Sequence, residues 1–268
     1  MTHRMKKKSL ILKTKLGIPP KSLIKREKNR LTNYKAWIKN PCDHKSEIDI
    51  RLSLLCLQHL GYTQDVDAKS MIQSGCKVWH HYFLSDWWAG TGVQLGHTDK
   101  TRMKDVTWHE EFINGAVIGS LASRLTQCQK VSSWVDSRLR HEYAGDDFDY
   151  ERPVIYKMIA ELFCKTPMKG IDREIKRMKK KGGDRTLALY EVVQAISRKD
   201  QAAFNASMAQ SLKLFRPRTG RSSTATDWIA KEETVLLRLA KSNRLSMPEL
   251  HEKLEALIVT AESVGLTS

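Results

Sequence analysis

The spacing of apolar residues constrains the fold of this chain more than any other feature. In several segments apolar side chains recur every three or four residues, which is the period of one face of an α-helix. The clearest series are Ala68, Met71, Ile72, Cys76, Trp79 and Phe83, then Leu187, Tyr190, Val193 and Ile196, and Ile229, Val235, Leu236 and Leu239. The sequence has no convincing alternation of apolar and polar residues between hairpin turns. It therefore predicts an all-α fold.

Capping chemistry indicates where the helices begin, because a side-chain oxygen can accept hydrogen bonds from free backbone N–H groups of a first turn. Capping residues precede helical patterns at Asp184, Asp200, and Thr226 or Asp227, and in two capping boxes, Thr107–Glu110 and Ser246–Glu249. Short connections make neighbouring helices antiparallel. We expect an irregular stack of helical hairpins, repeat-like but without a strict repeat, with pairs at 185–198 and 201–215, and at 227–242 and 247–262.

The length of 268 residues fits one large domain. Residues 1–20 are expected to form a basic flexible arm and 21–268 a single helical domain, with a sub-boundary near the glycine-containing stretch 91–105 left open. No apolar stretch approaches the roughly 20 residues that span a bilayer. The apolar run 10–12 is too short for a signal-peptide core. We therefore predict a cytoplasmic protein without a membrane partner.

The net charge of +16 is concentrated in two segments. Residues 1–30 contain eleven Lys/Arg and one acid, residues 165–181 contain eight and two, and the rest of the chain is balanced. The excess either solvates a tail and a helix face or contacts phosphates or an acidic protein. If the partner is a nucleic acid, the predicted contacts are Lys6, Lys7, Lys8, Lys176, Arg177, Lys179, Lys180 and Lys181. The second run also fits a helix that ends in cations before Gly182-Gly183.

An aromatic and histidine cluster at 79–83 is followed by Trp87 and Trp88. Trp79 and Phe83 are expected in the core with the histidines at its margin. His80 and His81 lie about 100° apart on a helix, so they cannot both face one metal ion. Trp87 and Trp88 are the candidate aromatic anchors of a partner surface.

The segment 146–151 contains Asp146, Asp147 and Asp149. Three interpretations stay open: a loop that precedes a helix, a divalent-cation site of a metal-dependent enzyme, and a contact with a basic partner or with the basic segments of this chain. The segment lacks the glycine and the distant glutamate of a calcium loop.

Complete catalytic and metal-binding motifs are missing from the sequence. His109-Glu110-Glu111 begins like a zinc-protease motif, but Ile113 occupies the place of the second histidine. The five cysteines have no CxxC spacing and are expected to be reduced thiols. Gly115 and Gly119 indicate close helix packing. We therefore predict no metal, no cofactor and no enzymatic activity.

The C-terminal part of the chain resembles a known family. The residues that carry the resemblance are Phe204–Met208, Asp227–Ala240 and Asn243-Arg244-Leu245, within roughly residues 185–250. This segment resembles the C-terminal part of a helical family of immunity proteins from bacterial polymorphic-toxin systems. The resemblance implies an all-helical protein that binds and neutralises a cognate toxin by occlusion, with no catalytic residue.

The leading hypothesis is therefore a non-enzymatic helical module that binds another protein. Its predicted contact residues are Trp87, Trp88, Asp146, Asp147 and Asp149. The two alternatives are a helical-repeat nucleic-acid-binding protein and a metal-dependent enzyme that uses the three aspartates.

Overall fold

The computed structural model describes residues 20–35, 44–84, 108–139, 151–166, 172–217 and 224–266. These residues form no strand, and the all-α prediction is confirmed. Their α-helices are α1 (Pro20–Lys35), α2 (His44–His59), α3 (Ala68–Leu84), α4 (Trp108–Leu121), α5 (Leu125–Leu139), α6 (Glu151–Cys164), α7 (Asp172–Lys181), α8 (Asp184–Arg198), α9 (Gln201–Leu214), α10 (Lys231–Ser242) and α11 (Glu252–Glu255). Two 3₁₀ helices, Ala225–Trp228 and Glu262–Val264, flank α10 and α11.

The helices pack as hairpins around two central helices. The pairs α2/α3, α5/α6 and α8/α9 form the hairpins, while α10 contacts α4, α6, α8 and α9. Helix α2 is enclosed by α1, α3, α4 and both 3₁₀ helices, which is why residues 50–57 are buried around its whole circumference. One continuous apolar core runs from α2 to Val264. No helix in the described ranges is both long enough and apolar enough to cross a membrane.

The predicted arm and sub-boundary stay predictions. Residues 1–19 and 91–105 lie outside the described part of the chain. Helix α1 begins at Pro20, the last residue of the predicted arm.

The α8/α9 hairpin confirms the predicted helix pair and shows how two residues reverse the chain. Lys199 takes the left-handed conformation with φ 57°, and its N–H donates to the Ile196 carbonyl. The Asp200 N–H donates to the Ala195 carbonyl at 2.9 Å, which completes a Schellman motif. The Asp200 carboxylate then accepts from the Ala203 N–H at 3.0 Å and caps α9.

The second predicted pair, 227–242 with 247–262, is wrong at both helix starts. Asp227 belongs to the 3₁₀ helix, whose capping box it closes with Thr224, and α10 begins four residues later. Residues 245–251 form no helix, and α11 has four residues.

Hydrogen bonds from distant segments explain the missing helix. The Gln201 side chain accepts from the Ser246 N–H at 2.7 Å and donates to the Ser246 carbonyl at 3.2 Å. The Ala230 N–H donates to the Leu257 carbonyl at 2.8 Å. These bonds hold the backbone in a conformation that a continuous helix would exclude, so tertiary contacts override the local capping pattern.

Two glycines allow α3, α4 and α5 to approach closely, as the sequence predicts. The Trp79 side chain is fully buried and meets Phe83 edge to face. A Cβ atom at Gly115 would overlap the indole ring of Trp79, and one at Gly119 would lie 2.6 Å from the Cys128 sulfur. The core is therefore packed against the backbone of α4 at these two positions.

We expect Gly115→Ala to lower the free energy of unfolding by about 1–3 kcal/mol, because the rigid indole of Trp79 cannot give way without a backbone shift. Urea unfolding followed by circular dichroism measures the change. Gly75→Ala is the matched control, since its Cβ would meet the side chains of Ile118, at 3.1 Å, and Arg51, at 3.7 Å, and alanine favours the helix. Equal losses in both variants would contradict this packing role.

Candidate functional site

Most of the predicted contact residues fall outside the described part of the chain. Trp87 and Trp88 lie there, as do the three aspartates Asp146, Asp147 and Asp149, and the arm lysines Lys6, Lys7 and Lys8. Their roles stay predictions. The second basic segment is described: Lys176, Arg177, Lys179 and Lys180 lie on α7, and Lys181 is its last residue.

Helix α7 separates its cations from its core contact. Met178 is fully buried in the apolar core, while Lys176, Lys179 and Lys180 are exposed. Their spacing of three and four residues places these lysines on one face, opposite Met178. The Lys179 Nζ atom lies 4.7 Å from the centroid of the Tyr190 ring. The Gly182 N–H donates to the Met178 carbonyl at 2.6 Å, and Gly182-Gly183 follow the helix as predicted.

The interior of the fold contains a group of charged side chains, which are rarely buried in proteins unless they are paired. The buried charged residues are Glu27, Glu47, Arg51, Glu111, Lys157, Glu161, Glu232 and Glu233. The densest part surrounds the first turn of α10. We call Lys231, Glu232, Glu233, Arg185 and Glu110 the ionic network.

Arg185 lies between the two adjacent glutamates of α10. Its Nη2 atom donates to Glu232 Oε2 at 3.0 Å and to Glu233 Oε2 at 2.7 Å. The Tyr156 hydroxyl donates to Glu232 Oε1 at 3.0 Å, and the Ser211 hydroxyl donates to Glu233 Oε1. These hydrogen bonds join α6, α8 and α9 to the start of α10.

Lys231 connects the same turn to α4. Its Nζ atom donates to Glu110 Oε2 at 2.7 Å and to Asn114 Oδ1 at 3.0 Å. Glu110 was predicted to close a capping box with Thr107, which lies outside the described residues, so that role is untested.

Burial and pairing act against each other on the pKa values of this network. Burial raises the pKa of Glu232, but Arg185 and Lys231 outweigh it and hold that pKa at about 2. Burial also raises the pKa of Glu233 and prevails there, because Arg185 is shared and Glu232 repels a second negative charge. Burial lowers the pKa of Lys231, but the Glu110 carboxylate outweighs it, so this pKa is above its ordinary value.

The hydrogen bonds of the network show what these groups can do chemically. The acids and bases are engaged with one another and with Tyr156, Ser211 and Asn114, which is the arrangement of a structural ion cluster. Within the described ranges, no group of three His, Cys, Asp or Glu residues could hold a metal ion. Burial raises the pKa of the Cys128 thiol to about 12 and of the Cys76 thiol to about 11, so both are unreactive at neutral pH.

Sequence reasoning missed the ionic network because its signal is ambiguous. Acids in a first turn are favoured at any exposed helix start by the helix dipole, and Glu232 and Glu233 fit that pattern. The one available hint was their position directly before the apolar run 235–237, which places the first turn of α10 in the core. The partners Arg185 and Glu110 are too distant in sequence to be recognised.

Comparison of the chain with protein-family models, with curated proteins and with solved structures finds no match. The resemblance of residues 185–250 to the immunity-protein family therefore stays a prediction from the sequence.

We expect the two glutamates to respond differently to removal of their charge. Glu232→Gln should lower the free energy of unfolding at pH 7 by roughly 3 kcal/mol, which corresponds to a pKa held at about 2 instead of its ordinary value of 4.5. Glu233→Gln should cost less than about 1 kcal/mol, because burial already penalises the charged form and the amide oxygen still accepts from Ser211. Urea unfolding of both variants measures the difference, and equal losses would count against the assigned charges.

The difference between wild type and each variant should also depend on pH. Glu232 has a lowered pKa, so its contribution is present above about pH 4.5 and disappears as the pH falls toward about 2. Glu233 has a raised pKa, so the wild type should lose stability relative to Glu233→Gln as the pH rises above about 4.5. Thermal unfolding in steps from pH 3 to pH 8 measures both trends, and parallel curves would contradict them.

Proposed function

We propose that this chain is a non-enzymatic helical binding protein that neutralises a toxin-like protein partner by covering its functional surface. The observation that carries the proposal is the pairing of the acids and bases of the ionic network with one another, in which Arg185 Nε is left without a hydrogen bond among the described residues. Groups that could transfer protons are held by other side chains of the same fold, as Lys231 is by Glu110 and Asn114. The buried charges then hold the helices in place, and the binding of a partner is left to residues on the protein surface.

The resemblance of residues 185–250 supports the same proposal. This segment contains the α8/α9 hairpin and α10, which pack against one another. Arg185, Ser211 and Glu233, one residue from each of these helices, meet in the interior. A rigid helical stack of this kind suits occlusion, since a preorganised surface loses little conformational entropy when it binds.

The test starts from the tagged full chain, purified from its native host with and without nuclease treatment. We expect a nuclease-resistant protein partner at near-stoichiometric yield. The decisive step is reconstitution: the purified partner should form a defined complex with the chain, and co-expression of the chain should restore growth to cells that express the partner. An interface of roughly 1,200–2,000 Å² is expected for a stable complex.

Two results would overturn this proposal. One is a partner whose toxicity or activity is unchanged by the chain. The other is co-purification of nucleic acid alone, removed by nuclease and by salt.

Nucleic-acid binding is the second candidate, and the exposed lysine face of α7 is the observation that favours it. Lys176, Lys179 and Lys180 project from a helix that is anchored in the core by Met178. Such a face can contact the phosphates of a nucleic acid without reading its sequence.

The dependence of binding on salt concentration tests this second candidate. For a labelled single-stranded 20-mer, the logarithm of the binding constant should fall linearly with the logarithm of the salt concentration. Lys176→Gln/Lys180→Gln should reduce the slope of this line by about 1.4, since each phosphate contact on a single strand contributes about 0.7. The control Lys69→Gln/Lys77→Gln removes two exposed lysines of α3 and should leave the slope unchanged. Equal slopes in all three proteins would exclude α7 as the contact surface.

A further inference from the structure

A shallow pocket that is open to solvent lies between α1 and the segment that follows α2. Its volume is about 620 Å³, and its lining of Lys25, Lys28 and Asn29 on one side and residues 61–65 on the other exposes apolar as well as polar surface. This volume lies within the range of about 300–1,000 Å³ that is common for small-molecule sites.

The far wall of the pocket is produced by the way α2 ends. Gly61 has φ 76°, a conformation that favours glycine, and its N–H donates to the Gln58 carbonyl at 2.9 Å. The Tyr62 N–H donates to the Leu57 carbonyl, also at 2.9 Å, which completes a Schellman motif. Thr63 is buried, and its hydroxyl accepts from the Asp65 N–H at 3.2 Å. The wall is therefore held by backbone hydrogen bonds.

The near wall carries an excess of positive charge. Lys25 and Lys28 are exposed and one helical turn apart on α1. The single acid of α1, Glu27, is fully buried and paired with Arg26 at 3.0 Å and with Arg30 at 2.8 Å, so it is engaged away from the two lysines. Asp65 is the one acidic residue among those that line the pocket. The lining residues thus carry two positive charges and one negative charge.

Tyr62 adds a polar group that the described part of the protein leaves unused. Its hydroxyl oxygen is buried and has no hydrogen-bond partner within the described ranges. Burial raises the pKa of Tyr62 to about 12, so the hydroxyl stays protonated and able to donate. An acceptor on a ligand would satisfy this donor once the partly exposed Tyr62 ring turns toward the pocket.

We propose that this pocket binds a small organic phosphate, with Lys25 and Lys28 on the phosphate group and Tyr62, Thr63 and Gln64 against the organic body. A phosphate dianion suits two neighbouring ammonium groups, and lysine binds phosphate as a point charge. The volume exceeds what inorganic phosphate needs, which leaves room for the organic body. This ligand site goes beyond the proposed function and does not depend on it.

The test is calorimetric titration of the full chain with ribose 5-phosphate and with inorganic phosphate, in buffers matched in ionic strength with sodium chloride. We expect ribose 5-phosphate to bind at least about tenfold more tightly than phosphate, because its sugar reaches the far wall. Lys25→Gln/Lys28→Gln should raise the Kd of both probes at least about tenfold. Both residues are exposed, so this variant should keep the wild-type melting temperature.

Two variants make the test specific. Lys69→Gln/Lys77→Gln removes two exposed lysines of α3 that do not line the pocket and should leave the Kd unchanged. Tyr62→Phe should weaken ribose 5-phosphate binding without lowering the melting temperature, because it removes a hydroxyl that stabilises nothing in the described fold.

Three outcomes would overturn the proposal: neither probe binds above the sodium chloride control; both lysine-pair variants weaken binding equally; or Lys25→Gln/Lys28→Gln weakens binding of a single-stranded oligonucleotide while ribose 5-phosphate does not bind. The last outcome would assign the two lysines to a polymer.

Discussion

A guanidinium group shared by two buried carboxylates is the interaction on which this fold depends most. Arg185 donates through one nitrogen to both Glu232 and Glu233, and both glutamates are buried. Moving charges out of water is expensive, so such a group is tolerated only when its partners are in place. Loss of Arg185 would leave the ionised Glu232 carboxylate without its guanidinium partner in the interior and is expected to cost about 3–5 kcal/mol. The position of α10 relative to α8 is therefore tightly restricted.

Three consecutive residues extend this restriction to four other helices. Successive side chains on a helix point about 100° apart, so adjacent residues face different neighbours. Lys231 reaches α4 through Glu110, Glu232 reaches α6 and α8 through Tyr156 and Arg185, and Glu233 reaches α9 through Ser211. The first turn of α10 thus sets the orientation of the helices around it. The apolar residues that follow, Val235, Leu236 and Leu239, fill the space that this arrangement leaves.

The sequence was sufficient for the fold class because helical periodicity is a local property that apolar burial enforces. The spacing of Trp79 and Phe83 placed both in the core, and Asp200 marked the start of α9 correctly. The sequence was insufficient where residues distant in sequence determine the backbone conformation. At Ser246, the local capping pattern predicts a helix start, but the backbone N–H is hydrogen-bonded to the side chain of Gln201 instead. The ionic network could not be predicted from the sequence for a related reason, because a salt bridge between residues 110 and 231 leaves no periodic signal in either segment. The basic helix α7 was recognised because its charge and its glycine stop are both local.

The location of Lys231 limits how well the C-terminal segment can fold independently of the rest of the chain. Helices α8, α9 and α10 pack against one another, which suggests a separate module. Yet Lys231 finds its acceptors, Glu110 and Asn114, on α4, and Glu232 receives a hydrogen bond from Tyr156 on α6. A transplanted fragment would carry an unpaired ammonium group and a bare apolar face. These C-terminal helices therefore depend on α4 and α6 for the pairing of their buried charges.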